Sequence, residues 1–291
     1  MENRKYEMTN ITMEFEERTL YRIRALKNFR NVKAGDLGGW VSGEYNLSQE
    51  GDCWIYDEAK CMDNARIYHN SAMYNNAVMC DFSEMHENSE MHGSSEMFDN
   101  SEMHDCSEMC GNSKMFGDSI LCDYSSMHDN SEIHDCCVMY DSSIMYNNSK
   151  MFGYSKMHGY SEMHDNSQMH DYCELYGCSE MWDNSEMFDS SEMHDCSEMC
   201  GDGKLKGREN LYGKLVSEVD KFIDIANPQQ GRIVTGVLKN GKILYNVGCQ
   251  NEITRETFID RIYNEDGGIE RNPHREEYLK IIDMIKLYLL K

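Results

Sequence analysis

A core-type residue recurs at every sixth position from Ile55 to Leu211 without a slip, and that period limits the chain to very few folds. The series runs Ile55, Cys61, Ile67, Met73, Met79, Met85 and onward through Met199 and Leu205 to Leu211, which makes 27 positions, 19 of them Met. A helix has no use for this register: six steps of about 100° turn a side chain through about 240° and scatter the series round the axis. The repeat is therefore extended strand broken by corners.

Within each unit the core residue is followed by an aromatic residue or His, then Asp, Gly or Asn, then often Asn, then a small residue, then often Glu, as in Met181-Trp182-Asp183-Asn184-Ser185-Glu186. Residues that tolerate positive φ at the third and fourth positions mark a tight corner. The small fifth residue, Ala59, Ala65 and Ala77 and then mostly Ser, suits an inward site beside that corner. Positions two and six flank the core residue on a short strand and point outward.

This pattern resembles the hexapeptide repeat of left-handed parallel β-helices, over roughly half the chain. The resemblance implies three hexapeptides per triangular coil and hence nine coils for 27 repeats. A flat solenoid with twelve residues per coil is the alternative. The predicted fold class is mainly β: a β-solenoid at residues 55–212, an N-terminal cap segment at 1–54 and a small α+β domain at 213–291.

In the lead-in, Thr19 to Ala34 reads as strand-like or mixed, and Gly35-Asp36 opens a turn that continues through Leu37-Gly38-Gly39. Trp40, Leu47 and Trp54 are candidates to plug the open end, which otherwise offers unpaired backbone groups to any passing strand. Beyond Leu211 the period fails. Two β-rich runs around Lys239-Asn240-Gly241-Lys242 predict a hairpin. Thr254 to Tyr263 reads as helix, and Asn272-Pro273 opens a second one with Tyr278, Ile281, Ile282, Ile285, Tyr288 and Leu289 at helical spacing. That stripe is a packed face or a homo-oligomer contact.

The segments Tyr21-Arg22-Ile23-Arg24-Ala25-Leu26, Asp36-Leu37-Gly38-Gly39-Trp40-Val41 and Asn46-Leu47-Ser48, followed at once by hexapeptides, are similar to those of uncharacterised bacteriophage and prophage proteins. Those proteins use Val at the core and Ala at the small site, where this chain has Met and Ser. The resemblance implies a viral or prophage origin and supplies no catalytic residues.

The formal charge is −24, and its location matters more than its size. Residues 55–210 hold 31 Asp and Glu against 8 Lys and Arg, a net of −23. Nine coils at about 4.8 Å make a rod of about 43 Å, one charge per roughly 1.9 Å, against one per about 1.7 Å for duplex DNA. Such a rod repels nucleic acid and suits a host protein with a basic nucleic-acid groove; the plain alternative is a solvated spacer presenting the C-terminal domain. The polar, charged N-terminus has no secretory character and no apolar run reaches membrane-spanning length, so a cytoplasmic chain with no membrane partner is expected. Thirteen Cys in several registers fit reduced thiols better than a disulfide framework.

Three groups are candidate sites. Residues 142–161 contain no carboxylate but hold Lys150 and Lys156, and Ile120, Val138 and Ile144 replace Glu at outward positions. With Tyr140, Tyr146, Tyr154, Tyr160 and Tyr172 they read as an interaction patch. Glu162, Glu180 and Glu198, 18 residues apart, form the candidate acidic contact. Nine of the eleven His lie at the second position, and His86, His104 and Cys122 fall in one column with donor types that suit zinc or copper; the competing reading is a stacking ladder. No other cofactor is expected. Hexapeptide β-helices include many acyltransferases, which need a general-base His and a pocket made with a protruding loop or neighbouring subunit; the unbroken register admits no loop, so the chain is read as a non-catalytic binding protein, a counter-defence inhibitor in an infected or lysogenic host.

Overall fold

The computed structural model describes residues 4–207, 210–211, 214–215, 219–226, 233–239, 242–247, 250–264 and 275–289. Each hexapeptide contributes a two-residue strand ending on its core residue, beginning with Trp54–Ile55, Lys60–Cys61 and Arg66–Ile67. Each strand pairs in parallel with the one 18 residues later, Ile55 with Met73, Cys61 with Met79 and Ile67 with Met85. The coil therefore has three faces and 18 residues, not twelve, and the solenoid has about nine coils. Face 1 starts at Trp54–Ile55, face 2 at Lys60–Cys61 and face 3 at Arg66–Ile67.

The inside of the coil explains the composition. All 27 periodic residues from Ile55 to Leu211 are fully buried, and so are the small fifth-position residues between them. Unbranched, flexible Met fills the narrow triangular interior where the backbones leave irregular gaps. Several buried Ser hydroxyls satisfy themselves locally: Ser83 Oγ donates to the Cys80 carbonyl at 2.8 Å and Ser101 Oγ to that of Phe98 at 2.8 Å. At the corners the third residue is left-handed, with φ from 52° at Asp57 to 64° at Asp189 among the residues with side chains.

Asp at that corner does more than tolerate the conformation. Its carboxylate accepts the backbone N–H of the corner one coil on: Asp99 from Gly117 at 3.0 Å, Asp135 from Gly153 at 3.0 Å and Asp183 from Gly201 at 2.9 Å. The fourth-position amides form their own ladder, from Asn112 through Asn130, Asn148, Asn166 and Asn184 to Asp202. Each corner thus ties its coil to the next through side chains as well as backbone.

Strands β1 (Tyr6–Phe15) and β2 (Arg18–Ala25) form an antiparallel hairpin, and β2 pairs with β3 (Leu37–Val41). β1 was not foreseen, and Leu37-Gly38-Gly39 is strand where a continuing turn was expected. The two glycines are there for close approach: a Cβ on Gly38 would lie 2.5 Å from the Trp54 ring, and one on Gly39 would lie 2.4 Å from the Ala59 carbonyl oxygen. β3 pairs in parallel with Lys60–Cys61, and Leu47 bridges Ile67, so faces 2 and 3 already have rungs within the lead-in. The hairpin then covers the exposed edge of face 2.

Two of the three residues expected to plug the end, Leu47 and Trp54, do so, joined by others that were not expected. Trp54 and Leu47 are buried, with the rings of Tyr6 and Phe29 edge-on to Trp54 at 6.2 and 5.4 Å. Lys5 is fully buried beside them, its Nζ donating to the Cys53 carbonyl at 2.9 Å, while Tyr6 Oη donates to the Leu47 carbonyl at 2.7 Å. Trp40 takes no part in the plug. It lies outside the coil, in a separate cluster with Leu20, Met62 and Cys80, and donates through Nε1 to Glu58 at 2.9 Å.

At the other end the last rung, Lys214–Leu215, pairs with Glu198–Met199 at a separation of 16 rather than 18 residues. A four-stranded antiparallel sheet follows, Val219–Ala226, Ile233–Lys239, Lys242–Val247 and Gln250–Thr254 in that order, with helices Arg255–Asn264 and Arg275–Leu289. Lys239 pairs with Lys242 as a hairpin requires; Asn240-Gly241 and Asn272-Pro273 lie outside the described residues. Tyr278, Ile281, Ile282, Ile285 and Leu289 are buried with Val234, Tyr245, Phe258 and Ile262, so the apolar stripe is a packed face; the side chain of Tyr288 is outside the description. Among the described residues no helix is long and apolar enough to cross a membrane.

Candidate functional site

Each face carries two outward columns, one from the position before the core residue and one from the position after it. On face 2 the first column mixes both signs, and Lys150 meets Glu132 at 2.8 Å and Lys204 meets Glu186 at 2.8 Å. Faces 1 and 3 differ. Glu90 pairs with Glu108 on face 1, and Glu162, Glu180 and Glu198 stack there in three successive coils. On face 3 Glu84 stacks on Glu102 and Glu174 on Glu192. Of the twelve first-column Glu, nine thus lie on faces 1 and 3, while the corner Asp residues are spread over all three corners.

Most of these like charges are held by rings on their own strand, while Glu108 accepts from the Cys110 thiol at 3.0 Å. His86 Nε2 lies 3.1 Å from Glu84, His104 Nε2 2.8 Å from Glu102, His164 Nε2 2.9 Å from Glu162, and Trp182 Nε1 donates to Glu180 at 2.9 Å. A residue at position six and one at position two of the next unit are two apart on a strand and project on the same side. The recurring Glu-Met-His triplet was the available signal for this pairing. The rings also stack coil upon coil, as Tyr146 on His164 at 4.9 Å and Tyr176 on His194 at 4.9 Å.

The stacking also bears on the expected metal trio. The rings of His86 and His104 lie face to face, 4.8 Å apart and 5° from parallel. Imidazole lone pairs lie in the ring plane, so two parallel stacked rings do not aim at one ion between them. Cys122 Sγ, meanwhile, lies 3.4 Å from the Met139 carbonyl oxygen, and burial with the nearby Asp123 pushes its thiol up to about 11. The arrangement fits a stacking ladder better than a shared ion.

The carboxylate-free stretch is a ring round the rod, because just over 18 residues is one coil. Ile144 and Tyr146 are on face 1 with Glu162, Glu180 and Glu198; Lys150 is on face 2; Ile120, Val138 and Lys156 stack on face 3, beside Tyr140. Its lysines are engaged, Lys150 with Glu132 and Lys156 with Glu174 at 3.4 Å. Tyr154 and Tyr172 stack at 5.0 Å on the corner after face 2, half-exposed or more, and Tyr160 stands exposed on the corner after face 3. What the structure brings together is therefore two smaller groups, the face 3 column and the Tyr154–Tyr172 pair, rather than one patch.

No family model matches the chain. A stretch of 39 residues, 13% of the chain, is 51% identical to a protein of Escherichia coli (strain K12) described as an uncharacterized acetyltransferase, YdcK, and spans 12% of that protein's length. The match fits a hexapeptide-repeat β-helix, and it lends no support to the non-catalytic reading.

Proposed function

We propose that the protein works by binding, offering the carboxylate columns of faces 1 and 3 to a basic groove that otherwise holds nucleic acid. The observation that carries this is the column Glu162–Glu180–Glu198, three carboxylates in register on consecutive coils of a rigid scaffold. At about 4.8 Å per coil and a solenoid charge of −23, the rod approaches the linear charge density of duplex DNA, about one charge per 1.7 Å. Rigid like charges on one face are costly for an isolated protein and useful against a cationic partner. In the setting implied by the resemblance to prophage proteins, the partner is a host defence protein.

The test is competition: the protein displaces a labelled duplex from basic nucleic-acid-binding proteins at low salt. Replacing Glu162, Glu180 and Glu198 together by Gln weakens that competition and makes its salt dependence shallower. Competition that is absent at low salt, or indifferent to the triple change, refutes the reading.

The local match to a protein named as an acetyltransferase favours a second reading, acyl transfer at a site completed by a neighbouring subunit. Saturable binding of acetyl-CoA by calorimetry supports that reading, and its absence removes it.

A further inference from the structure

We propose that the corner formed by His69, His86 and Glu87 is a binding site for a divalent cation of the zinc class. The first observation is a break in the repeat. From Asp57 to Gly207 the corner position is Asp, Asn or Gly in every unit except two, His69 and Glu87. The two exceptions are 18 residues apart, so they stack on one corner in adjacent coils. Both keep the left-handed backbone, with φ of 55° each. Glu gains no local advantage there over the Asp used elsewhere, so its presence calls for a reason outside the corner itself.

The second observation is convergence. One ligand atom from each of His69, His86 and Glu87 lies within 4.8 Å of the others. The Glu87 carboxylate has Oε1 3.7 Å from His69 Nδ1, and its Oε2 is buried with no hydrogen-bond partner, 3.8 Å from His104 Nδ1. His86 is already oriented: its Nε2 lies 3.1 Å from Glu84 Oε2, and in the tautomer that donates to this carboxylate Nδ1 carries the lone pair. A carboxylate holding the far nitrogen is the usual support of a metal-bound imidazole. Two imidazoles and one carboxylate leave a fourth tetrahedral position for water. Closing from 4.8 Å to the spacing set by metal–ligand bonds of about 2.0–2.2 Å takes rotation of His69 and Glu87, whose side chains are 58% and 43% exposed, and exchanges the hydrogen bond that His69 Nδ1 accepts from the Glu87 N–H at 3.3 Å for the cation.

The other convergent group, Asp63, Cys80 and Asp81, is less suited. Asp63 is bound to Arg18 at 2.8 Å, and burial together with Asp81 pushes the Cys80 thiol up to about 12, so its thiolate is costly to form. Its Asp residues are also the ordinary ones of the repeat, whereas His69 and Glu87 are not. A cation at the His69 corner would clamp two adjacent coils near the N-terminal end of the rod.

The experiment is calorimetric titration of chelator-treated full-length protein with Zn2+ at physiological salt, with Mg2+ as the comparison for diffuse attraction to the acidic surface. The expected result is one saturable Zn2+ site that Mg2+ does not fill. His69→Asn and Glu87→Asp each restore a residue type the repeat uses at its corners, so melting should be preserved in the absence of metal. Each should lower zinc affinity by at least about tenfold, and Cys122→Ser should leave it unchanged. Absence of a saturable site, parent-like zinc affinity in either corner variant, or loss of binding in Cys122→Ser would overturn the assignment.

Discussion

Substitution of Asp99 separates the two jobs its corner performs. Asp99 has φ of 59°, and its Oδ2 accepts the Gly117 N–H at 3.0 Å. A residue without a local hydrogen-bonding side chain costs about 1–2 kcal/mol in the left-handed region, and an exposed hydrogen bond is worth about 0.5–1.5 kcal/mol. Asp99→Gly loses the bond and relieves the backbone, although a more flexible unfolded chain returns part of that relief, for a net loss of about 1 kcal/mol. Asp99→Ala loses the bond and adds the backbone cost, about 2–3 kcal/mol in all. Asp99→Asn keeps an acceptor and the backbone tolerance and removes repulsion from Asp81 one coil back, so it stays within about 0.5 kcal/mol of the parent. At about 2–4 °C per kcal/mol for a unit of this size, Ala lowers Tm by about 4–12 °C and Gly by about 2–4 °C. Urea and thermal unfolding followed by circular dichroism measure the series. An Ala variant as stable as the Gly variant would refute the backbone argument, and a Gly variant equal to the parent would refute the side-chain ladder.

Deleting Met127 to Ile144, one whole coil, leaves a shorter folded rod, while deleting three residues moves core Met outward and corners inward and unfolds it; equal tolerance of both by circular dichroism would contradict the 18-residue coil. Burial pushes the thiols of Cys110 and Cys137 up to about 12, with Glu108 adding to the effect at Cys110. Because these folded values lie above the unfolded value of about 8.5, their contribution is complete below that pH and is lost as pH rises toward 12. The urea midpoint therefore falls between pH 8 and pH 10.5, and Cys137→Ser, which installs the residue usual at that position, reduces the fall; a flat profile for the parent counts against it. Ile144→Ser and Tyr154→Ser, on face 1 and on the corner after face 2, act additively within about 0.5 kcal/mol on any partner's affinity, and strong coupling in a double-mutant cycle would restore the single patch.

Most of the solenoid was legible because its rules are local. A core residue every sixth position, a corner residue that accepts positive φ and a small residue behind it are all properties of one hexapeptide. The lead-in was harder. Gly38-Gly39 signals a turn by composition, yet here it signals a strand pressed against Trp54 and Ala59, a contact made by residues about 15 to 20 positions away. The Trp40 side chain was misplaced for the same kind of reason: its position in a strand does not say which side the later hairpin will cover.

The sequence by itself determined the repeat, its period, the inward Met column and the total charge, since each follows from residue types counted along the chain. Only the tertiary structure decided that three hexapeptides close a coil, and therefore which residues meet at a separation of 18. That one spatial number sorts most of the outward Glu onto two faces, stacks the rings coil upon coil, turns the carboxylate-free stretch into a belt and sets Glu87 over His69. The physical reason is that strand pairing acts between coils, at about 4.8 Å, where residues distant in sequence become nearest neighbours.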